Sequence, residues 1–213
     1  LAKGNAEATA MQAKAEAYRK LRRDDPRWLR LKRACDAWCA AFFMPLTKEM
    51  ANRVPTTDDV WRCLAARDTG QGPLFAYVDT VAAEDLRFFH WPLEFPEVFG
   101  LGGFDVALGN PPWEVSQLSE EEFFSGRDST IAAEKGAQRK WAIAELPTNN
   151  PALWTKYAEA KHAYEAANSF FRDGGRHSLT ATGKINTYAI FGETFLKLIG
   201  ELGRAGLIVP PGI

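Results

Sequence analysis

Within the 213 residues, the run Asn110-Pro111-Pro112-Trp113 has residue types that could do chemistry. The carboxamide of Asn110 offers a carbonyl acceptor. Pro111 and Pro112 hold φ at about −65° and bring no backbone N–H, so the loop can aim carbonyl oxygens at a guest without a competing donor. Trp113 adds a flat π-face on which a planar base can stack. The preceding Phe104-Asp105-Val106-Ala107-Leu108-Gly109 reads as a buried strand, and ligands of open α/β sheets bind at the C-terminal ends of strands. Taken alone, Asn-Pro is also a common turn former, and a loop with an aromatic packed beneath it is the plainer reading.

Other groups point less to chemistry. Cys35 and Cys39 stand four apart and share a helix face. Zinc would need further ligands, and His90 is the nearest histidine in sequence, so no metal is expected. The three thiols, Cys35, Cys39 and Cys63, read as buried side chains in a reducing cytoplasm. Glu159-Ala160-Lys161 imitates the Glu-x-Lys spacing of nucleases but falls inside a helical pattern. Asp105 reads as structural, and His90 and Trp91 as core packing.

The elements that must position the Asn-Pro-Pro-Trp loop follow from periodicity. Residues 5–23 are Ala-rich helix formers. Asp25 can cap a second helix with Pro26 at its first position, running to about Phe43. Its apolar stripe would be Trp28, Leu31, Cys35, Trp38, Ala41 and Phe42. Thr57-Asp58-Asp59 can cap a third helix over about 59–67, and Thr69-Gly70-Gln71-Gly72-Pro73 breaks the chain. From Ser119 to about Arg172 the pattern is helical again, with Ser119-Glu120-Glu121-Glu122 as a capping segment and Pro147 and Pro151 separating two helices. A last helix is expected over 187–202, then a second buried strand at Leu207-Ile208-Val209. Strand, long crossover, helix and strand fit a parallel α/β sheet.

Composition sets the bounds. With 26 basic and 27 acidic side chains, 46% hydrophobic and 25% charged residues, the chain is globular in type rather than disordered. The net charge of −1 hides an uneven layout: +5 over residues 1–50, −9 over 51–126 and +3 over 127–213. The cluster Arg19-Lys20-Leu21-Arg22-Arg23 and the basic residues up to Arg33 could meet phosphates, but a solvated helix face is the simpler account. No stretch approaches the roughly 18 apolar residues of a membrane helix, and no apolar signal core is present. The chain starts at Leu1 without a methionine and stops at Ile213 just past an apolar run, so it reads as an excerpt of a longer protein.

The Asn-Pro-Pro-Trp run after a hydrophobic strand resembles the catalytic motif of S-adenosylmethionine-dependent amino-methyltransferases. Phe89-His90-Trp91-Pro92-Leu93-Glu94-Phe95-Pro96-Glu97-Val98-Phe99, then Gly103-Phe104-Asp105-Val106, then Gly109-Asn110-Pro111-Pro112-Trp113, is similar to adenine-specific (N6) DNA methyltransferases of large restriction-modification and phage-defence enzymes. Gly183 to Phe191, Gly206 to Pro210 and Cys35 to Phe43 also resemble that class. The resemblance implies a partial Rossmann-like α/β methyltransferase domain over 73–213, with a helical insertion at about 114–182 and a helical arm over 1–72 before it. It implies a catalytic set of Asn110, Pro111, Pro112 and Trp113, S-adenosylmethionine as methyl donor, and a flipped adenine of double-stranded DNA as acceptor. Other domains of the same parent chain would be partners. Gly100-Leu101-Gly102-Gly103 lies directly before the strand, with no room for intervening βαβ units, and reads as a turn. The cofactor's Gly-rich loop and its ribose-binding acid are therefore expected upstream of Leu1, and the isolated chain is not expected to bind cofactor. The same motif occurs in protein-glutamine and RNA methyltransferases, and a non-catalytic helical interaction module on a degenerate methyltransferase segment stays open.

Overall fold

The computed structural model describes residues 2–65 and 72–211. The chain break expected at 69–71 and the side chains of Arg22 and Arg23 lie outside the described residues. Two compact units divide the chain between Phe99 and Gly100. No described helix is long and apolar enough to cross a membrane.

The first unit is helical. Helices α1 (Ala2–Asp24) and α2 (Pro26–Phe43) are separated by Asp25, whose carboxylate accepts from the backbone N–H of Arg27 at 2.7 Å and of Trp28 at 3.4 Å. Pro26 occupies the first helical position, as the sequence predicts. Helix α3 (Thr57–Leu64) is capped one residue earlier than expected. The Thr56 hydroxyl accepts from the Asp59 N–H, and the Asp59 carboxylate takes the Thr56 N–H at 2.8 Å. Helix α4 (Pro73–Thr80) runs into a π-turn at Val81–Asp85, and α5 (Trp91–Glu94) and α6 (Pro96–Gly100) carry the aromatic run.

The core of this unit joins Ala34, Ala37, Ala40 and Met44 of α2 and its C-cap to Cys63, Phe75 and Val78. This corrects the expected stripe on α2: Leu31 is exposed, and Cys35, Trp38, Ala41 and Phe42 are only half-buried. An alanine face lets neighbouring helices approach α2 closely, and the bulkier side chains lie at the margin of that contact. Because Phe75 and Val78 enter the same core, the compact unit continues past residue 72, where the sequence places the end of the arm.

The second unit carries the sheet. Strand β1 (Phe104–Gly109) pairs in parallel with β2 (Ile199–Leu207), the two strands found among the described residues. Phe104 lies opposite Ile199, and Val106 to Gly109 lie opposite Arg204 to Leu207, with an irregularity between Phe104 and Val106. The crossover contains α7 (Glu120–Ser125), α8 (Ser129–Ala133), α9 (Gly136–Asn149), α10 (Pro151–Asp173) and α11 (Thr187–Leu198). The expected strand–crossover–helix–strand order in a parallel pair is therefore present.

Three local expectations change. The last helix stops at Leu198, and residues 199–202 belong to β2; Gly200 and Gly203 are poor helix formers, and pairing with β1 satisfies the backbone instead. Ile208 and Val209 lie just beyond the strand. Neither strand is buried: Val106 is 56% and Leu108 77% exposed, because a two-stranded sheet leaves much of its surface uncovered. Finally, Pro147 does not end α9 but sits in its last turn, where the helix goes on to Asn149. The insertion helices have their own core of Phe124, Ile131, Ile143, Leu146, Leu153 and Tyr157.

Candidate active site

The Asn-Pro-Pro-Trp run leaves the C-terminal end of β1, as the sequence predicts. Gly109, the last residue of β1, is where the strand meets α11: a Cβ there would come within 2.9 Å of the Phe195 ring. Asn110 is exposed, Pro111 is buried, and Pro112 and Trp113 are exposed. Among the described residues, no hydrogen bond engages the Asn110 carboxamide or the Pro111 carbonyl.

The rest of the loop is tied down. The Trp113 indole N–H donates to the Ile208 carbonyl at 3.2 Å, while 52% of the side chain stays exposed. The Ile208 N–H donates to the Gly109 carbonyl at 3.1 Å. Thr187, the first residue of α11, donates its hydroxyl to the Pro112 carbonyl at 2.7 Å and lies 3.0 Å from the Glu114 carbonyl. The same hydroxyl accepts from the Glu114 N–H at 3.1 Å, and the Thr187 N–H donates to the Glu114 carbonyl at 2.9 Å. The Ser116 N–H reaches the Ile185 carbonyl at 2.9 Å, and Asn168 of α10 donates to the Ser116 carbonyl at 2.8 Å. Thr187 escapes sequence reasoning, since a threonine at the start of a helix reads only as an ordinary capping neighbour.

The middle of α11 is itself held by a buried carboxylate. Glu193 is 2% exposed. It accepts from the Leu179 and Thr180 N–H groups at 3.2 and 3.1 Å, from the Thr180 hydroxyl at 2.7 Å and from the Lys197 ammonium at 2.8 Å. Burial alone would raise its pKa, but these donors and the Lys197 charge bring it down to about 2. Burial pushes the neighbouring His177 down from its ordinary value; its Nε2 lies 3.1 Å from the Thr194 hydroxyl and its Nδ1 is buried without a hydrogen bond.

The remaining candidates lie elsewhere in the chain. His90 is buried, with Nε2 2.7 Å from Asp36 Oδ1, and Lys32 bonds the other oxygen of that carboxylate. Trp91 stacks on Phe95 with ring centroids 5.8 Å apart. Cys39 and Cys63 are buried and Cys35 is half-buried. Among the described residues, no cluster of three His, Cys, Asp or Glu could hold a metal ion. Lys161 pairs with Glu165 one turn along α10, at 3.7 Å. Asp105 is exposed near the start of β1.

A family model for the Eco57I restriction-modification methylase matches residues 34–143, more than half of the chain and including the Asn110 to Trp113 loop. The chain belongs to this family. No curated protein and no solved structure matches it. The Eco57I-type match begins within α2 and ends within α9. It therefore takes in the helical core, β1 and its loop, while Thr187 and β2 lie beyond it.

Proposed function

We propose that the full-length protein is an adenine-specific DNA methyltransferase of a restriction-modification or phage-defence system. It would transfer a methyl group from S-adenosylmethionine to the exocyclic amine of an adenine flipped out of duplex DNA. The observation that carries this reading is the loop after β1. Among the described residues, its Asn110 carboxamide and Pro111 carbonyl have no hydrogen-bond partner, while the neighbouring Pro112 carbonyl and Trp113 indole are tied down.

The chemistry required of this chain is on the acceptor side. The lone pair of an adenine amine is delocalised into the ring, which makes it a poor nucleophile. Hydrogen bonds from its two N–H groups to the Asn110 side-chain oxygen and the Pro111 carbonyl favour a tetrahedral nitrogen with a localised lone pair. The half-exposed face of Trp113 gives the ring a surface to stack on.

Among the described residues, the glycine run 100–103 is a poor fit for the methyl donor. Gly102 and Gly103 take positive φ, and a Cβ on Gly103 would lie 2.7 Å from the Leu198 carbonyl. Gly103 is packed on the end of α11 and the start of β2, so this part of the turn is filled by backbone rather than open to a ligand.

The test is methylation of duplex DNA by the full-length protein with labelled S-adenosylmethionine, followed by digestion to nucleosides. The label should appear in N6-methyladenine, and Asn110→Ala should lower the rate by about 100-fold or more. Label in glutamine or RNA instead, or full activity in Asn110→Ala, would sink the proposal.

A further inference from the structure

Two adjacent carbonyls, those of Pro111 and Pro112, leave the site loop, and among the described residues only that of Pro112 is engaged. The Pro112 carbonyl receives the Thr187 hydroxyl at 2.7 Å. The Glu114 carbonyl also takes the Thr187 N–H at 2.9 Å, and of the two oxygens within reach of the hydroxyl that of Pro112 is the nearer. The hydroxyl lone pair in turn receives the Glu114 N–H at 3.1 Å. One side chain thus uses its donor and its acceptor on both sides of Trp113.

Thr187 is backed by contacts along its own helix. It opens α11, whose Phe195 lies against Gly109 at the other end of the loop and whose Glu193 anchors the return segment at Leu179 and Thr180. The loop is therefore gripped at Gly109 and at Pro112–Glu114 by one helix, with Asn110 and Pro111 between the two grips.

We infer that Thr187 is a positioning residue that holds Pro112 and Glu114 so that the Asn110 side chain and Pro111 carbonyl alone face the substrate amine. The inference rests on the methyltransferase reading above. Thr187 does not touch the reacting atoms; it acts by fixing the loop. A displacement of about 1 Å in such a group is enough to lower a rate by up to about 100-fold.

The experiment compares Thr187→Ser, Thr187→Ala and Thr187→Val in the full-length protein. Ser and Ala differ only in the hydroxyl, and Val keeps the shape of Thr without it. Methyl transfer to duplex DNA should keep most of its kcat in the Ser variant. It should fall about 10-fold or more in Ala and Val, with KM for DNA changed by less than about 3-fold. Hydrogen exchange of a peptide containing Glu114 should be faster in Ala than in Ser. Equal kcat in Ser and Ala, equal exchange at Glu114, or a loss confined to KM would each overturn the inference. If the Val variant does not fold, the Ser and Ala pair decides the matter. An unsubstituted protein that fails to methylate adenine counts against the methyltransferase reading instead, and the exchange comparison still judges the clasp.

Discussion

The indole N–H of Trp113 donates to the carbonyl of Ile208, 95 residues away, at 3.2 Å. The bond joins the loop after β1 to the chain just past β2, so the two strand ends that border the site are fixed to each other at an aromatic side chain. It also orients the ring by its edge and leaves its face available.

Substitutions at Trp113 should separate those two roles. Trp113→Phe keeps a stacking ring but loses a hydrogen bond worth about 1 kcal/mol, so the rate of adenine methylation should fall less than about 10-fold. Trp113→Ala also loses base stacking, worth about 1–3 kcal/mol, and should fall further by at least about 5-fold. Both rates can be read as kcat/KM for methyl transfer to duplex DNA. Equal losses in the two variants would show that the edge bond, not the face, matters.

The site loop and the parallel pair were legible because they rest on local chemistry. The prolines set their own φ, Gly109 ends a strand, and a long crossover between two apolar runs favours a parallel arrangement. What stayed hidden depends on partners remote in sequence. Nothing near Thr187 signals that its hydroxyl would meet Pro112, 75 residues earlier. The run 199–202 scans as the end of a helix until β1 is available to pair with it. The buried face of α2 is hidden because apolar size does not reveal fit: the small Ala34, Ala37 and Ala40 pack inward, and Leu31 does not. Asp36 and His90 could be seen as polar residues in apolar surroundings, but not as each other's partner.

The Asp36 carboxylate should be a stability centre of the first unit. It is buried between the His90 ring and the Lys32 ammonium. Asp36→Ala leaves the His90 ring nitrogen buried without its partner, and leaving such a group unsatisfied costs about 1–3 kcal/mol. Asp36→Asn keeps an acceptor for the His90 N–H and should cost less. Urea unfolding of the full-length protein, followed by hydrogen exchange in peptides of α2 and α4, measures both. A loss below about 1 kcal/mol for Asp36→Ala would contradict this role.

Gly103 and Gly102 should respond differently to alanine. Both have positive φ, at +124° and +102°, so both substitutions carry backbone strain of about 1 kcal/mol. Only at Gly103 would the new Cβ also meet backbone, 2.7 Å from the Leu198 carbonyl and 2.8 Å from the Gly200 nitrogen. Gly103→Ala should therefore destabilise the β1–β2 pair by about 1–3 kcal/mol more than Gly102→Ala. Exchange rates in peptides of β1 give the comparison directly, and equal effects would argue against close packing at the entry to β1.

Acid should loosen the support of α11 in two stages. Burial holds the His177 pKa below its ordinary 6.5, so the folded state disfavours the proton that the unfolded chain accepts. That contribution is fully present above 6.5 and is lost as pH falls below it. Glu193 titrates lower. Its folded pKa of about 2 lies below the ordinary 4.5, so its contribution is present above 4.5 and is lost as pH falls from 4.5 towards 2. Glu193→Gln cannot titrate and should flatten the lower stage, while being less stable than the parent sequence at neutral pH because the charge-assisted bond from Lys197 is weakened. Unfolding free energy measured from pH 7 to pH 2.5, with exchange in peptides 176–198 as the local readout, tests both stages. A Glu193→Gln profile that keeps the full loss between 4.5 and 2.5 would assign that loss to other carboxylates.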